Sequence, residues 1–220
     1  MEIEEIRNIR KGKLEKLFAK GISPYGGRFE CSHTIGQILA DFQEGLQVRV
    51  AGRLMANRRH GKVLFMDLRD QKDKIQLFVK ADNVGTDVFD TVSDLDIGDI
   101  IGVQGVLFRT RTGENSVRVG TLAVLAKSLM SLPEKWHGLK DVEVRYRQRY
   151  LDLLANNPVK ELFIKRCRII SFIREFLDKR GFLEVETPML QPMAGGARGR
   201  PFKSRHNVYD MDVYLRIAPE

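Results

Sequence analysis

The chain has 220 residues, of which 43% are hydrophobic, so we expect two domains with packed cores and exclude a disordered chain. Its formal net charge of +8 suits a polyanionic partner, although solvated surface lysines and arginines explain about half of such modest excesses. No apolar run is long enough to span a bilayer, and glutamates at positions 2, 4 and 5 argue against a secretory signal.

The first predicted element is a helix over residues 3–20, which Gly21 and Pro24 end. Its spacing predicts one buried stripe, formed by Ile3, Ile6, Ile9, Arg10, Leu14, Leu17 and Phe18. Residues 1–45 are therefore predicted to be an N-terminal helical extension that ends in a loop.

From Gln47 the apolar period changes to two, which predicts strands. Glycine and polar turns divide the segment into five strands, with a weak helical candidate between the third and the fourth, at about 47–57, 63–70, 75–80, 98–108 and 115–129. This order predicts an all-β domain over residues 46–130, a five-stranded OB-type barrel that binds oligonucleotides on strands 2 and 3. An open meander is the main alternative.

An arginine- and tyrosine-rich connector follows over residues 131–157. Asn157 and Pro158 then predict a helix start, and Gly181 supplies the left-handed position that ends this helix. A buried stripe is expected on it, formed by Leu162, Ile169, Ile170, Ile173, Phe176 and Leu177. Residues 182–187 alternate as a strand, which Pro188 ends.

Strands 2 and 3 have an informative alternation. One face carries Leu64, Met66, Leu68, Ile75, Leu77 and Val79, and if these side chains fill the barrel, Phe65 and Phe78 stand outside on a polar, basic face. Exposed aromatic rings beside basic residues suit stacking of bases next to phosphate neutralisation. The alternative, which the pattern alone leaves open, is that both rings pack under the N-terminal helix or the connector.

Other chemistry-bearing motifs are weak. The glycine-rich run 193–202 fits no phosphate-loop pattern and is more simply a flexible turn, although Gly195 and Gly196 would let a ligand approach the backbone. The cysteines, Cys31 and Cys167, lie far apart, which indicates neither a disulfide framework nor a metal site and favours the reducing cytoplasm. The four histidines also lack metal-ligand spacing.

Several separate stretches resemble one family. The run GFLEVETPML (181–190) resembles the first signature motif of class II aminoacyl-tRNA synthetases, and the barrel before it is similar to the subclass that charges lysine, aspartate or asparagine. The lysine–tRNA ligases are resembled most closely, in VAGRLM (50–55), KWHGL (135–139), RYRQRYLDL (145–153) and the run 200–220. The resemblance covers the whole chain, more loosely over residues 1–45.

The resemblance implies roles for individual residues. The barrel would bind the anticodon of lysine tRNA, with Phe65 stacking on a base and Arg58, Gln76 and Glu114 reading base edges. The helix and strand around 158–188 would form a homodimer seam, with Pro188 reaching toward the partner. Gly196 would meet the bound lysine through its backbone, and Glu220 would hold the ammonium group of that lysine.

The implied fold class is α+β, in which the barrel precedes the start of an antiparallel-sheet catalytic domain over residues 158–220. The implied reaction is ATP-dependent attachment of lysine to tRNA through an adenylate, with Mg²⁺. The family's second and third motifs, and its metal-binding carboxylates, are expected beyond residue 220, so we assign no catalytic or metal-binding residue. A free-standing tRNA-binding module, or an aspartate or asparagine relative, stays the alternative.

Overall fold

The computed structural model describes residues 3–25, 27–133, 139–196 and 198–218. The chain divides into two compact units, residues 1–155 and residues 156–220. Each unit has its own sheet, a five-stranded one in the first and a three-stranded one in the second. None of the described helices combines the length and the apolar character needed to cross a membrane.

A closed five-stranded barrel forms the centre of the first unit, with strand order β1-β2-β3-β5-β4. Neighbouring strands are antiparallel except β3 and β5, whose parallel pairing closes the barrel. The strands are β1 (Gln47–His60), β2 (Val63–Arg69), β3 (Lys74–Lys80), β4 (Ile100–Arg109) and β5 (Asn115–Ala126). Two short helices, α3 (Ala81–Val84) and α4 (Thr86–Ser93), separate β3 from β4. The predicted OB-type barrel is therefore confirmed, and the open meander is excluded.

The barrel interior is filled by alternate residues of every strand. The predicted inward set on β2 and β3 is confirmed, because all six of its side chains are buried. The other strands complete this core with Val48, Val50, Leu54, Ile101, Val103, Leu107, Val117 and Val119. Since strand side chains alternate, the residues between these positions point out of the barrel.

The N-terminal helix α1 (Ile3–Ala19) packs onto the rest of the first unit through Arg10 and Leu17, which are both buried. The Arg10 guanidinium donates to the carbonyl oxygens of Ser128 at 3.2 Å and Met130 at 2.7 Å. The predicted stripe is partly wrong, because Ile9 and Phe18 are about half exposed, at 53% and 52%. The hydrogen bonds of Arg10 turn the inner face of the helix away from these two residues.

A buried ion cluster lies beside this helix. The Lys127 Nζ atom donates to the Asp96 carboxylate at 2.6 Å and to the Asp99 carboxylate at 3.0 Å. Lys13 of α1 adds a second bond to Asp96, also at 2.6 Å. Burial raises the pKa of Asp96, but the hydrogen bonds from Lys127 and Lys13 outweigh burial and hold this pKa below its ordinary value of 3.8.

Three further helices of the first unit were not predicted. The helix α2 (Ile35–Ala40) begins with a capping box, in which Thr34 accepts from the Gln37 backbone and Gln37 accepts from the Thr34 backbone. In the connector, α5 (Val142–Arg147) and α6 (Arg149–Ala155) are joined through the buried Asp152 carboxylate, which pairs with Arg145 at 2.9 Å and with Arg149.

The second unit contains the long helix α7 (Asn157–Asp178), which has proline in its first turn. Its N-cap is Asn156, one residue before the predicted position. Its end follows the prediction: Gly181 has a φ of +81°, its N–H bonds to the Asp178 carbonyl, and the Phe182 N–H bonds to the Leu177 carbonyl. This pair of bonds is the Schellman motif, which favours glycine at that position.

A small sheet follows the helix in the second unit, with order β6-β8-β7 and antiparallel pairs. Its strands are β6 (Leu190–Gln191), β7 (Lys203–His206) and β8 (Met211–Leu215). The Lys203 ammonium and the Asp212 carboxylate pair across β7 and β8 at 2.7 Å. Their hydrogen bond raises the pKa of Lys203 and lowers the pKa of Asp212.

Two predictions for the second unit are wrong. Residues 182–188 form no strand in the structure, because a strand is stabilised by ladder hydrogen bonds and no described strand pairs with this segment. The apolar stripe of α7 is exposed rather than buried along its whole length, for example at Ile173, and the neighbouring Leu183 is 84% exposed. Within the described second unit, no element covers this apolar face.

Candidate nucleic-acid interface

Aromatic side chains form a continuous row on the outer face of the barrel. Phe65 on β2 and Phe78 on β3 are directly paired in register, and their ring centroids lie 5.4 Å apart. The row continues to Phe108 on β4, whose ring centroid lies 5.6 Å from that of Phe78, and to His60 on β1, 6.0 Å from Phe65. All three pairs meet edge to face, so parts of the ring faces stay open to solvent on these half-buried phenylalanines.

Arg58 stands at the edge of this row, paired in register with Phe65. Its guanidinium donates to the Asp67 carboxylate at 2.9 Å, and Lys74 contacts the other oxygen of Asp67 at 3.4 Å. The carboxylate is mostly buried, whereas about half of the Arg58 side chain is exposed. Asp67 therefore fixes the direction of Arg58 and leaves the rest of its guanidinium open to an incoming group.

Gln76 is held by two partners whose chemistry fixes the orientation of its amide. Its Nε2 donates to the Glu114 carboxylate at 2.9 Å, and its Oε1 accepts from the Ser116 hydroxyl at 3.1 Å. A carboxylate accepts only, so the amino group must face Glu114 and the carbonyl must face Ser116. Gln76 is 7% exposed, so it presents a small, oriented polar edge rather than a mobile side chain.

The structure brings all four proposed anticodon residues onto one side of the barrel. Arg58 and Phe65 are paired between β1 and β2, and Gln76 reaches Glu114 from β3. Sequence reasoning did not single out their neighbours Asp67, Ser116, Phe108 and Arg118. The outward position of Asp67 was readable from alternation, but the contacts of the other three depend on the parallel pairing of β3 and β5, which leaves no local pattern.

The residues proposed to bind lysine lie in the second unit. Gly196 has a φ of +96°, and a side-chain carbon built on it would lie 2.7 Å from the Cβ atom of Ala218. Glycine is thus required here for both backbone conformation and space. Glu220 lies outside the described residues. Pro188 lies in the segment that forms no strand and follows Thr187, which accepts hydrogen bonds from the Arg216 side chain.

Metal-ligating side chains are not clustered among the described residues, where no group of three His, Cys, Asp or Glu is placed to hold an ion. The described side chains therefore do not form a Mg²⁺ site, and we derive no step through Mg²⁺. Both cysteines are free and exposed.

Two family comparisons match separate parts of the chain. Residues 48–125 match the family described as an OB-fold nucleic acid binding domain, which corresponds to the barrel. Residues 141–220 match the family described as tRNA synthetases class II (D, K and N). The second match favours a synthetase over a free-standing binding module.

Individual relatives agree with these families. The lysine–tRNA ligase of Moorella thermoacetica is 55% identical over 98% of this chain, and that of Carboxydothermus hydrogenoformans is 53% identical over 100%. The lysine–tRNA ligase of Clostridium perfringens is 49% identical, again over 100% of the chain. The chain spans 44–45% of the length of these relatives. The chain is therefore similar to the class II tRNA synthetases of aspartate, lysine and asparagine over residues 141–220, and to lysine–tRNA ligases over 44–45% of their length.

Proposed function

We propose that this chain provides the anticodon-binding barrel and the start of the catalytic domain of a lysine–tRNA ligase. The reaction would be the ATP-dependent attachment of lysine to its tRNA through a lysyl-adenylate, in the cytoplasm. The observation that carries this proposal is the position of Arg58, Phe65, Gln76 and Glu114 on one outer face of the barrel. The names of the relatives supply the choice of lysine.

In this proposal the aromatic row stacks unpaired bases, and the polar residues around it select them. Phe65 takes one anticodon base on its open ring face, since every base has a π-face that an aromatic side chain can cover. The Gln76 amide and the Glu114 carboxylate present a donor beside an acceptor, which matches the paired groups on the hydrogen-bonding edge of a base. Arg58, oriented by Asp67, adds a further donor.

In the second unit, we propose that Gly196 and Glu220 contact the lysine substrate and that α7 belongs to a homodimer seam. Support for the seam comes from the uncovered apolar face of α7 and from residues 182–188, which alternate like a strand but lack a partner in the described chain. A second copy would supply that partner, with Pro188 at the end of the paired segment. ATP and Mg²⁺ are proposed for the whole enzyme, and none of the described residues is assigned to either.

The test is a titration of the 220-residue chain with an RNA stem-loop whose loop bears the lysine anticodon uridines. Phe65→Ala is expected to weaken binding by about 1–3 kcal/mol, the usual loss for one stacked base. Phe18→Ala removes a half-exposed aromatic ring from α1, outside the row, and is expected to bind as the unchanged chain does. Gln76→Ala is expected to lose less affinity but to relax the preference for the base it reads.

The same titration at two salt concentrations separates stacking from charge. Lys62, an exposed residue in the turn before β2, should contribute through phosphate, so Lys62→Ala is expected to weaken all RNAs alike and flatten the salt dependence. If Phe65→Ala binds like the unchanged chain but unfolds at lower temperature, Phe65 only stabilises the barrel and the proposed role is wrong.

A further inference from the structure

The aromatic row continues beyond the residues assigned to the anticodon. Phe108 lies at the end of β4 and contacts Phe78, with 5.6 Å between ring centroids. The Arg118 guanidinium of β5 lies over the Phe108 ring, 4.8 Å from its centroid. Phe78 and Arg118 are partners in the parallel pairing of β3 with β5. Phe108 and Arg118 therefore extend the same outer face past Phe78.

Arg118 differs in its partners from Arg58, the arginine at the other end of the row. Arg58 is paired with the Asp67 carboxylate at 2.9 Å, whereas Arg118 is exposed and forms no ion pair within the part of the chain that the structure describes. A guanidinium that is oriented by an aromatic ring but not neutralised by a carboxylate can bind a phosphate. A half-buried ring beside it can receive a base.

The location of this pair also fits a nucleic-acid ligand. Phe108 immediately precedes Arg109 and the turn that carries Glu114. In the β4–β5 register Phe108 lies opposite Ser116, whose hydroxyl donates to Gln76. A strand of RNA that leaves the Gln76 and Glu114 edge along the row would thus meet Phe108 and Arg118 next.

We infer that Phe108 and Arg118 form an additional subsite for one single-stranded RNA nucleotide that flanks the anticodon. The base stacks on Phe108 and its phosphate binds Arg118. This inference rests on the proposed function of the barrel, and it adds a nucleotide that neither the sequence motifs nor the family descriptions assign to these residues.

The experiment uses the 220-residue chain and a set of stem-loops in which each loop nucleotide outside the anticodon is replaced, one at a time, by an abasic one. With the unchanged chain, one such replacement should weaken binding at least about fivefold, as expected for the loss of one stacked base. In Phe108→Leu that loss should disappear, because the stacking surface is already gone. Phe108→Tyr keeps an aromatic face and should retain the loss.

The phosphate contact is tested by the salt dependence of binding. Arg118→Gln should make the negative slope of log K against log salt shallower by about 0.7–0.9, the value for one phosphate contact. Arg49 provides a matched control, since its guanidinium lies 5.0 Å from the centroid of the Phe29 ring in another exposed arginine–aromatic pair. Arg49→Gln should leave the slope unchanged.

The outcomes distinguish the Phe108–Arg118 subsite from the proposed binding of the anticodon by the barrel. If Phe65→Ala weakens binding as expected but Phe108→Leu keeps the abasic loss and Arg118→Gln keeps the slope, the additional subsite is refuted and the anticodon site stands. If the unchanged chain binds none of the stem-loops, both are refuted.

Discussion

Replacement of Lys127 by methionine should destabilise the barrel strongly, because it leaves a buried carboxylate without its cation. The Lys127 ammonium bonds to both oxygens of Asp99, at 3.0 and 3.1 Å, and the Asp99 side chain is 0% exposed. Removing one partner of a buried ion pair costs about 3–5 kcal/mol. Asp99 would keep its bonds from the Asp96 and Ser128 backbone N–H groups, both at 2.8 Å, so we expect about 3 kcal/mol.

Hydrogen exchange of the β4 and β5 amides measures this loss, since it reports the opening of the barrel separately from the second unit. Lys13→Met is the matched control: Lys13 is partly exposed and Asp96 would keep Lys127, so the expected loss is below about 1 kcal/mol. Adding Asp99→Asn to Lys127→Met should restore part of the stability, because it removes the unpaired charge and keeps an acceptor for the backbone. A Lys127→Met loss below about 1 kcal/mol, or no recovery in the double variant, would refute the role of the buried charge.

Three further predictions concern pH, backbone space and association. Because the folded-state pKa of Asp96 is lowered, its stabilising contribution is present above the unfolded value of 3.8 and is lost as pH falls through the folded pKa. Urea unfolding between about pH 2 and 5 should show this loss of stability. The free energy of unfolding should depend less on pH in Asp96→Asn. Gly196→Ala should speed hydrogen exchange in the small sheet of the second unit, because the new carbon would lie 2.7 Å from Ala218 at a φ of +96°; unchanged exchange would contradict the tight contact. The chain should sediment as a dimer or larger species at micromolar concentration. Ile173→Glu should shift it toward monomer, since Ile173 is 51% exposed on the apolar face of α7. If the unchanged chain already sediments as a monomer, that result would count against the seam.

The barrel was predictable because its determinants are local. Each strand has an apolar period of two, and turn residues separate neighbouring strands, so both the number of strands and the inward set that includes Leu64 and Leu77 follow from the sequence. The end of α7 at Gly181 was predictable for the same reason, since a left-handed glycine is a local signal. The helix α2 also had a local signal, the Thr34 to Gln37 capping box, which the prediction overlooked.

What could not be predicted depends on long-range pairing. The neighbours Phe108, Ser116 and Arg118 reach the candidate interface through the β3–β5 closure, and that register has no signature within either strand. The stripe predicted on α1 is right for Arg10 and Leu17 but wrong for Ile9 and Phe18, because the carbonyl partners of Arg10, about 120 residues away, set which face of the helix is buried. The strand predicted at 182–187 failed because strand formation needs a partner, which local alternation does not provide.

Site-specific cross-linking shows whether the outer face of the barrel around Phe65 binds the anticodon. A stem-loop with 4-thiouridine in place of one anticodon uridine at a time would be irradiated with the 220-residue chain, and the cross-linked peptide identified after trypsin digestion. Trypsin cleaves after Lys62 and after Arg69, which releases a single peptide, 63–69, that contains Phe65. One anticodon position should cross-link to this peptide and lose the cross-link when unlabelled stem-loop competes. Anticodon binding by the barrel would be contradicted if every labelled anticodon position cross-linked only to the second unit and unlabelled stem-loop competed with these cross-links.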